Sequence, residues 1–511
     1  MHKKQYKLLL LKPRQHLKHY STQIEIARLL GKRTSGVPLA LPLLAALTPD
    51  NYKIKIIDED ISSVPKNFDP DIVGISMITS NSDRGYELAR NYRERGAKVV
   101  LGGPYPSFRV DEGKDHADSI VVGEAESLWK EVLKDFENND LKPVYYTEER
   151  VDFSASPIPR WDLVKTNKMF SINVQASRGC PFECEFCLTT QLFGRKVRRR
   201  NIDDVVEEIK QLPKKNILFT DENFTINKNY ARELANALKP LNVTWMCQSS
   251  VDVADDPELL KDMADAGCKY VIIGFESLKA DSLAKTHKYQ NNPEKYDEII
   301  DKIHQHGIHV YASFIIGFDQ DSPGDFEVFK QFVEKSSLPV FTLSILGTSP
   351  GMELYGRLER ENRLLKDLNK QFFVGAYPVI KYENFDNREF FDKFNETIEY
   401  LFSFAQIRKR TIKMLEKGYF AKSKNNPAVT VAQKIRATVI LGMSYTFTKD
   451  KEKRLFFSNL IKLIKQKKLA INEAAAILLM FEAITRHIRR DWKYRKFYLA
   501  ELEKVEGRRR A

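Results

Sequence analysis

Short, almost wholly apolar runs recur along the first 140 residues, separated by stretches whose apolar positions return every three or four residues. The runs are Lys7–Leu11, Ile54–Asp58, Ile72–Ser76, Val99–Gly102 and Ser119–Val122. Strands buried on both faces of a parallel sheet have this continuous character, whereas half-exposed strands alternate. Pro38–Leu47, Asp83–Arg95 and Ala125–Phe136 carry helical spacing between them. The alternation predicts an α/β doubly wound sheet over 1–140, whose ligand lies beyond the carboxyl ends of the strands. Residues 141–168, with Pro143, Pro157, Pro159 and Trp161, read as a linker. Over 169–351 the alternation resumes through six candidate strands: Ile172–Ala176, Ile217–Thr220, Thr244–Gln248, Tyr270–Gly274, Val310–Ile316 and Val340–Leu346. Asp203–Leu212, Tyr230–Leu238, Pro257–Ala266 and Glu294–His306 are helical runs among them. From 352 to 511 the pattern is mainly helical.

Charge separates this last region from the rest. Of the net charge of +13, residues 401–511 carry +18 (27 Lys and Arg against 9 Asp and Glu), which leaves residues 1–400 at −5. Any anionic partner therefore belongs at the C-terminal end. Leu455, Phe456, Leu460, Ile461, Leu463 and Ile464 alternate with Lys453, Arg454, Lys462, Lys465, Lys467 and Lys468, an amphipathic helix with cations on its polar face. Ala474–Phe481 is an apolar run too short to span a bilayer, and fits a core helix or a shallow anchor. Two readings stand for this tail: helices packed on the preceding domain with a solvated basic face, or peripheral docking on an anionic membrane. No RNA-binding module is visible, so no nucleic-acid partner is expected. The basic N-terminus has no apolar core of signal-peptide length, and five cysteines form no pairing framework; both point to a reducing cytoplasm.

The candidate chemistry lies in Ser177-Arg178-Gly179-Cys180-Pro-Phe-Glu-Cys184-Glu-Phe186-Cys187. Three thiolates on one short loop can hold three irons of a 4Fe–4S cubane and leave the fourth open to a small molecule. A structural zinc would want a fourth Cys or His with its own pair spacing, and none follows nearby. Cys247 and Cys268 stand alone and read as small buried apolar residues. At the strand ends of the first domain, the loops at Gly74–Met77, Gly102–Pro106 and Gly123–Glu126 offer glycines and helix starts to a bulky ligand. His16 and His19 in the first loop read as surface residues.

The Cys-x3-Cys-x2-Cys spacing resembles the radical S-adenosylmethionine (SAM) superfamily, in which the open iron chelates SAM and reductive cleavage gives a 5′-deoxyadenosyl radical. The six strand–helix units resemble that superfamily's partial (β/α)6 barrel, with the site at the carboxyl ends of the strands. On this resemblance Glu222 follows the second strand and faces the SAM ammonium, Gln248 ends the third, and Glu276 ends the fourth near the ribose or amino acid. Gly317 ends the fifth, beside adenine. Acids at strand ends also cap helices or form ion pairs, and both readings stay open for Glu222 and Glu276. Arg195 and Arg198 either pair with carboxylates at the site or lie in solvent.

The first domain is similar to the Rossmann-like cobalamin-binding domains that precede such barrels, through its Ile-Val-Gly-Ile-Ser strand, Gly-Gly-Pro loop and Val-Gly-Glu-Ala-Glu turn. The resemblance assigns Ser76, Gly102, Gly103, Gly123 and Glu124 to cobalamin. The Asp-x-His-x-x-Gly cobalt-ligand motif is absent, which implies a corrin without a protein histidine on cobalt; a nucleotide-type fold without corrin is the alternative. The whole arrangement resembles class B radical SAM enzymes, in particular the hopanoid methylase branch with its trailing helical domain. What this implies is a methyltransferase acting on an unactivated carbon of a small or lipid-like substrate. Its cofactors are one cluster, SAM and cobalamin, with electrons from a flavodoxin or ferredoxin. A cobalamin-assisted rearrangement or cyclisation is the alternative, and a non-catalytic cobalamin sensor or adaptor a further one.

Overall fold

In the computed structural model, residues 4–17, 22–36, 38–64, 68–418, 430–466, 469 and 471–507 are described; His19, Lys467 and Lys468 lie outside them. Six strands build the first sheet: β1 (Tyr6–Lys12), β2 (Tyr52–Asp58), β3 (Ile72–Ser76), β4 (Lys98–Gly102), β5 (Ser119–Val121) and β6 (Val144–Tyr145). They run parallel in the order β2-β1-β3-β4-β5-β6. The leucines of β1 explain why both faces must be covered. Leu8 and Leu10 pack with Leu41, Trp129 and Leu133 of the helices Ala40–Leu47 and Trp129–Glu137. Leu9 and Leu11 pack on the other face with Tyr86, Leu88 and Tyr92 of the helix Ser82–Glu94. Burying each such side chain contributes ~1.5–3 kcal/mol. The order reverses between β1 and β3, and the ligand crevice of a doubly wound sheet opens at such a point.

The sixth strand is a departure from the sequence reading. Val144–Tyr145 falls in the expected linker, yet it pairs with Ile120 and Val121 of β5 and closes the sheet edge. The rest of the linker runs through short 3-10 turns at Phe153–Ala155, Trp161–Leu163 and Thr166–Lys168.

The second sheet comprises β7 (Ile172–Val174), β10 (Asn216–Phe219), β11 (Thr244–Ser249), β12 (Cys268–Glu276), β13 (His309–Ile316) and β14 (Phe341–Ile345). They are parallel and follow one another across the sheet in chain order. Between β7 and β10 lies a two-residue antiparallel hairpin, β8 (Ser177–Arg178) and β9 (Arg198–Arg199). Helices Ile202–Gln211, Lys228–Leu238, Pro257–Asp265, Tyr296–Gln305 and Asp325–Lys335 cover one face. Pro257 sits in the first turn of its helix and Asp256 caps it by accepting from Leu259 N, so the helix begins where the sequence provides for it.

The C-terminal region holds the helices Asn387–Leu401, Phe404–Glu416, Val431–Thr446, Lys451–Lys465 and Ile471–Gly507. Its core is continuous with that of the second sheet. Ala474, Ile477, Leu478 and Phe481 are buried in that core. The apolar run 474–481 is thus a core helix and not a shallow anchor. In the helix Lys451–Lys465, Phe456 and Leu460 are likewise buried.

Candidate active site

The cysteine loop leaves the carboxyl end of β7 and is held at its base by Asp221, which follows β10. Asp221 accepts from Ala176 N at 3.1 Å, Ser177 N at 2.5 Å and Ser177 Oγ at 2.6 Å. Burial pushes its carboxyl up to about 6, against the pull of these donors. The β8–β9 hairpin then closes the loop, with Arg178 opposite Arg198. Gly179 has φ +102°, and a Cβ there would stand 2.5 Å from the Lys196 carbonyl oxygen, so only glycine fits before the first cysteine. Cys180 N donates to Gly194 O at 3.3 Å, Cys187 N to Cys184 O at 2.9 Å and Glu185 N to Thr286 O at 3.1 Å. Phe186 packs on Phe318, just past β13, with ring centroids 5.9 Å apart. None of the three thiols is in a disulfide.

The loop brings a cation with it that the sequence did not announce. Lys288 stands twelve residues beyond Glu276 in the chain, and its Nζ lies 3.6 Å from Glu276 Oε1. Burial lowers the Lys288 ammonium, but Glu276 and the three thiols around it raise it further, and the net direction is up. Burial pushes the Cys184 thiol up to about 11, with Lys288 opposing, and raises Cys180 as well. The Cys180 and Cys184 thiols are therefore held protonated, and ligation by them must release protons. Lys288 acts electrostatically on Glu276 and on all three thiols, and Glu222 acts on Cys180, so these groups gather at the carboxyl end of the sheet. No periodicity or spacing marks a lone lysine of this kind.

Glu222 is part of the same wall. Its Oε2 accepts from Gly179 N at 3.1 Å and its Oε1 from Gln175 Nε2 at 3.5 Å. Burial raises its carboxyl to about 7. Glu276 has φ +63° at the bulge that ends β12, and Asn291 Nδ2 fixes that bulge by donating to the Gly274 and Phe275 carbonyls at 2.9 and 2.8 Å. Neither acid caps a helix. Gln248 is exposed at the end of β11, its carbonyl accepting from Phe224 N at 2.9 Å. Gly317 has φ +105°, and a Cβ there would meet Tyr382 at 2.8 Å and Phe390 at 2.9 Å. Its N–H donates to Asp321 at 2.9 Å.

The carboxyl end of the first sheet meets this site across the domain seam. Gly351, after β14, would place a Cβ 2.5 Å from the Phe108 ring. Lys370 Nζ donates to Glu112 at 2.7 Å. Gly103 has φ +92° and a Cβ would stand 2.7 Å from Met77 O and 3.0 Å from Ser76 Oγ, so this glycine serves the packing of one loop on the next. Above Gly123 a Cβ would meet nothing within 4 Å, and above Gly102 only Val121 O at 3.9 Å, which leaves both backbones open to a large ligand. Glu124 does not point into that space. Its Oε1 accepts from Arg178 Nη1 at 2.7 Å and its Oε2 from Arg198 Nη1 at 2.8 Å. Arg195 pairs with Glu183 in solvent, and His16 is exposed.

A three-cysteine loop on a six-stranded parallel sheet, facing a doubly wound domain, defines a radical enzyme paired with a corrin-type domain. Comparison with known families agrees region by region. The radical SAM superfamily matches residues 174–333, the B12 binding domain matches 33–133, and a domain of unknown function (DUF4070) matches 353–493. Bacteriochlorophyllide d C-8(2)-methyltransferase of Chlorobaculum tepidum is 32% identical over 394 residues, covering 73% of this chain and 87% of that one. Hopanoid C-2 methylase of Rhodopseudomonas palustris is 28% identical over 354 residues, covering 65% and 66%. Among solved structures, the cobalamin-dependent radical SAM enzyme OxsB, with aqua-cobalamin and SAM bound, has a TM-score of 0.59 at 16% identity, over 98% of this chain and 84% of that one. The radical SAM methyltransferase TsrM of Kitasatospora setae, with cobalamin and a 4Fe–4S cluster bound, has a TM-score of 0.56 at 15% identity, over 70% and 78%. The chain belongs to the cobalamin-dependent radical SAM methyltransferases. The two matched domains imply a 4Fe–4S cluster, SAM and cobalamin as its cofactors.

Proposed function

We propose that this enzyme methylates an unactivated carbon of a small or lipid-like substrate, using a single cluster held by Cys180, Cys184 and Cys187. The observation that carries this reading is the convergence of three free thiols, Lys288, Glu222 and Glu276 at the end of a sheet that faces the open glycines Gly102 and Gly123. When bound, the cofactors supply hydrogen abstraction from carbon and delivery of a methyl group. The chain's own residues orient and shield. Lys288 offsets the negative charge of the thiolates and carboxylates, Glu222 and Gln248 offer acceptors to the SAM ammonium, and Glu276, paired with Lys288, would meet the ribose or amino acid of SAM. Gly317 shapes the floor through its backbone. Ser76, Gly102, Gly103 and Gly123 form the cobalamin side, which Glu124 supports from behind. We take 1–145, 146–168, 169–351 and 352–511 as the functional divisions, the first extended to include β6, and a flavodoxin- or ferredoxin-type protein as the electron donor. The names of the relatives, a bacteriochlorophyllide methyltransferase and a hopanoid methylase, support a bulky apolar substrate and favour methyl transfer over rearrangement.

The test is anaerobic reconstitution with iron, sulfide and cobalamin, then reduction in the presence of methyl-labelled SAM and an apolar extract of the source cells. Formation of 5′-deoxyadenosine together with label in an extracted product is the expected result. Deoxyadenosine without transferred label points instead to rearrangement. Absence of deoxyadenosine removes both readings and leaves the sensor.

A second feature bears on how an apolar substrate is reached. Val431, Ile435, Val439, Met443 and Phe447 recur every fourth residue along Val431–Thr446 and just past its end, between 54% and 80% exposed. No Asp or Glu occurs between Glu416 and Asp450, and Lys434 and Lys449, within and just after the stripe, are exposed. We assign this face to an anionic lipid surface, which takes both an apolar stripe and its flanking cations. It stands in place of the basic pattern 453–468 in the sequence, of whose apolar residues Phe456 and Leu460 are buried in the core. Among the described residues no helix is long and apolar enough to cross a membrane.

A further inference from the structure

The β8–β9 hairpin holds the cysteine loop by its two ends, and the same hairpin is tied to the cobalamin-binding domain. Arg178, two residues before Cys180, is buried. Its Nη1 donates to Glu124 Oε1 and Glu126 Oε1, each at 2.7 Å, from the turn that follows β5. Its Nε and Nη2 donate to Gln175 Oε1 at 3.2 and 3.0 Å. Its guanidinium lies 4.4 Å from the ring centroid of Phe153 in the linker and 5.3 Å from that of Phe193 beyond the cysteines. Arg198, its partner across the hairpin, takes the other Glu124 oxygen at 2.8 Å. It also donates to the Val151 and Phe193 carbonyls at 2.8 and 2.9 Å. Two arginines thus meet two glutamates in a charge-balanced, largely buried set. Gln175 continues the chain of contacts to Glu222, which in turn accepts from Gly179 N.

Such an arrangement is expensive to desolvate, and replacing it by apolar packing would hold two domains together as well or better. What it adds is register. A planar guanidinium that spends three of its nitrogens on three acceptors and stacks on a ring admits one geometry, whereas an apolar seam can slide. We propose that Arg178, through Glu124 and Glu126, is a positioning residue that fixes the cysteine loop, and hence the cluster, at a set distance and orientation from the corrin. Glu124 then acts on cobalamin only through the turn at Gly123, whose backbone stays open. The proposal rests on the two-cofactor reading of the site.

Two substitutions test it without emptying the seam: Arg178→Lys, which keeps the charge and loses the fork, and Glu126→Gln, which leaves Arg178 bonded to Glu124. Each protein is loaded anaerobically with cluster and cobalamin, and iron and corrin content are measured. The magnetic coupling between the reduced cluster and cob(II)alamin is then read by pulsed EPR. The wild type is expected to give one sharp coupling, and both variants a broadened or lost one at full cofactor content. A merely structural pair would lower the melting temperature and leave the coupling of the loaded protein unchanged, and that result overturns the proposal. Should Arg178→Lys fail to fold, Glu126→Gln decides alone. A wild type that takes up no cobalamin removes the two-cofactor reading itself, and this role with it.

Discussion

Burial treats Cys184 and Cys247 alike: both thiols are shielded from water and raised by desolvation. Their neighbours differ. Cys184 has Lys288 and two further thiols about it, whereas Cys247 lies inside β11 with Cys268 and apolar packing. Replacing Cys184 by Ala is expected to abolish the iron–sulfur absorbance after reconstitution. Replacing Cys247 by Ala should leave it intact and cost only the ~1 kcal/mol of a small buried group. Iron and sulfide analysis of the two variants reads the difference, and a Cys184 variant with full cluster content would remove the ligand assignment. At this scale the sequence was uneven. The cysteines were legible because a chelating loop needs fixed spacing along the chain. Lys288 was not, since it reaches the thiols from the loop after the helix Ala280–Lys285, over a hundred residues further along the chain. The sequence does not show that the Glu124 carboxylate is held by Arg178 and Arg198, or that Tyr382 and Phe390 close on Gly317. A strand-end position tells where a residue stands and not what it touches.

Strands were the most legible elements, because a parallel strand covered on both faces must be apolar throughout. Ile72–Ser76 and the six strands of the second sheet fall within a residue or two of the apolar runs. The two-residue strands β6, β8 and β9 left no such trace; β8 and β9 are held by arginines and by Asp221. One element also carries a pH dependence. His309 begins β13, and burial, helped by Lys269 on β12, lowers its imidazole to about 4. His304, on the helix before it, is lowered well below 6.5 by burial, His309 and Lys417. Both are neutral in the folded chain near pH 6, where an unfolded imidazole begins to take a proton. The stability His309 contributes is therefore complete above pH 6.5 and is lost as pH falls from 6.5 towards 4, by about 3 kcal/mol. Glu222 and Asp321, whose carboxyls are raised to about 7 and about 6, work in the opposite sense over part of this range. The informative quantity is the difference between wild type and His309→Gln. The melting temperature of the variant should fall less steeply between pH 6.5 and 4.5, and parallel slopes would refute the assignment.

The molecule as a whole is polarised. Its catalytic part is mildly acidic, its last 111 residues carry +18, and the exposed stripe from Val431 to Phe447 lies within the basic end. An apolar substrate partitions into a bilayer, so an enzyme that rests on the bilayer meets it at a far higher local concentration than one in bulk water. On the proposed docking, apolar burial would supply part of the energy, and each cation near an anionic surface would add ~1 kcal/mol. The full-length protein should therefore float with vesicles containing phosphatidylglycerol, bind weakly to neutral phosphatidylcholine vesicles, and dissociate as salt rises. Met443→Glu removes ~1.5–3 kcal/mol of apolar contact, enough for about a tenfold loss of binding, and adds a repelled charge. This position is exposed, so the iron and cobalamin content of the variant should match the wild type. Equal flotation of variant and wild type would exclude the stripe as the docking face. Failure of the wild type to bind either vesicle would exclude the membrane, and retention by a single-stranded RNA column under the same salt would assign the basic end to phosphates instead.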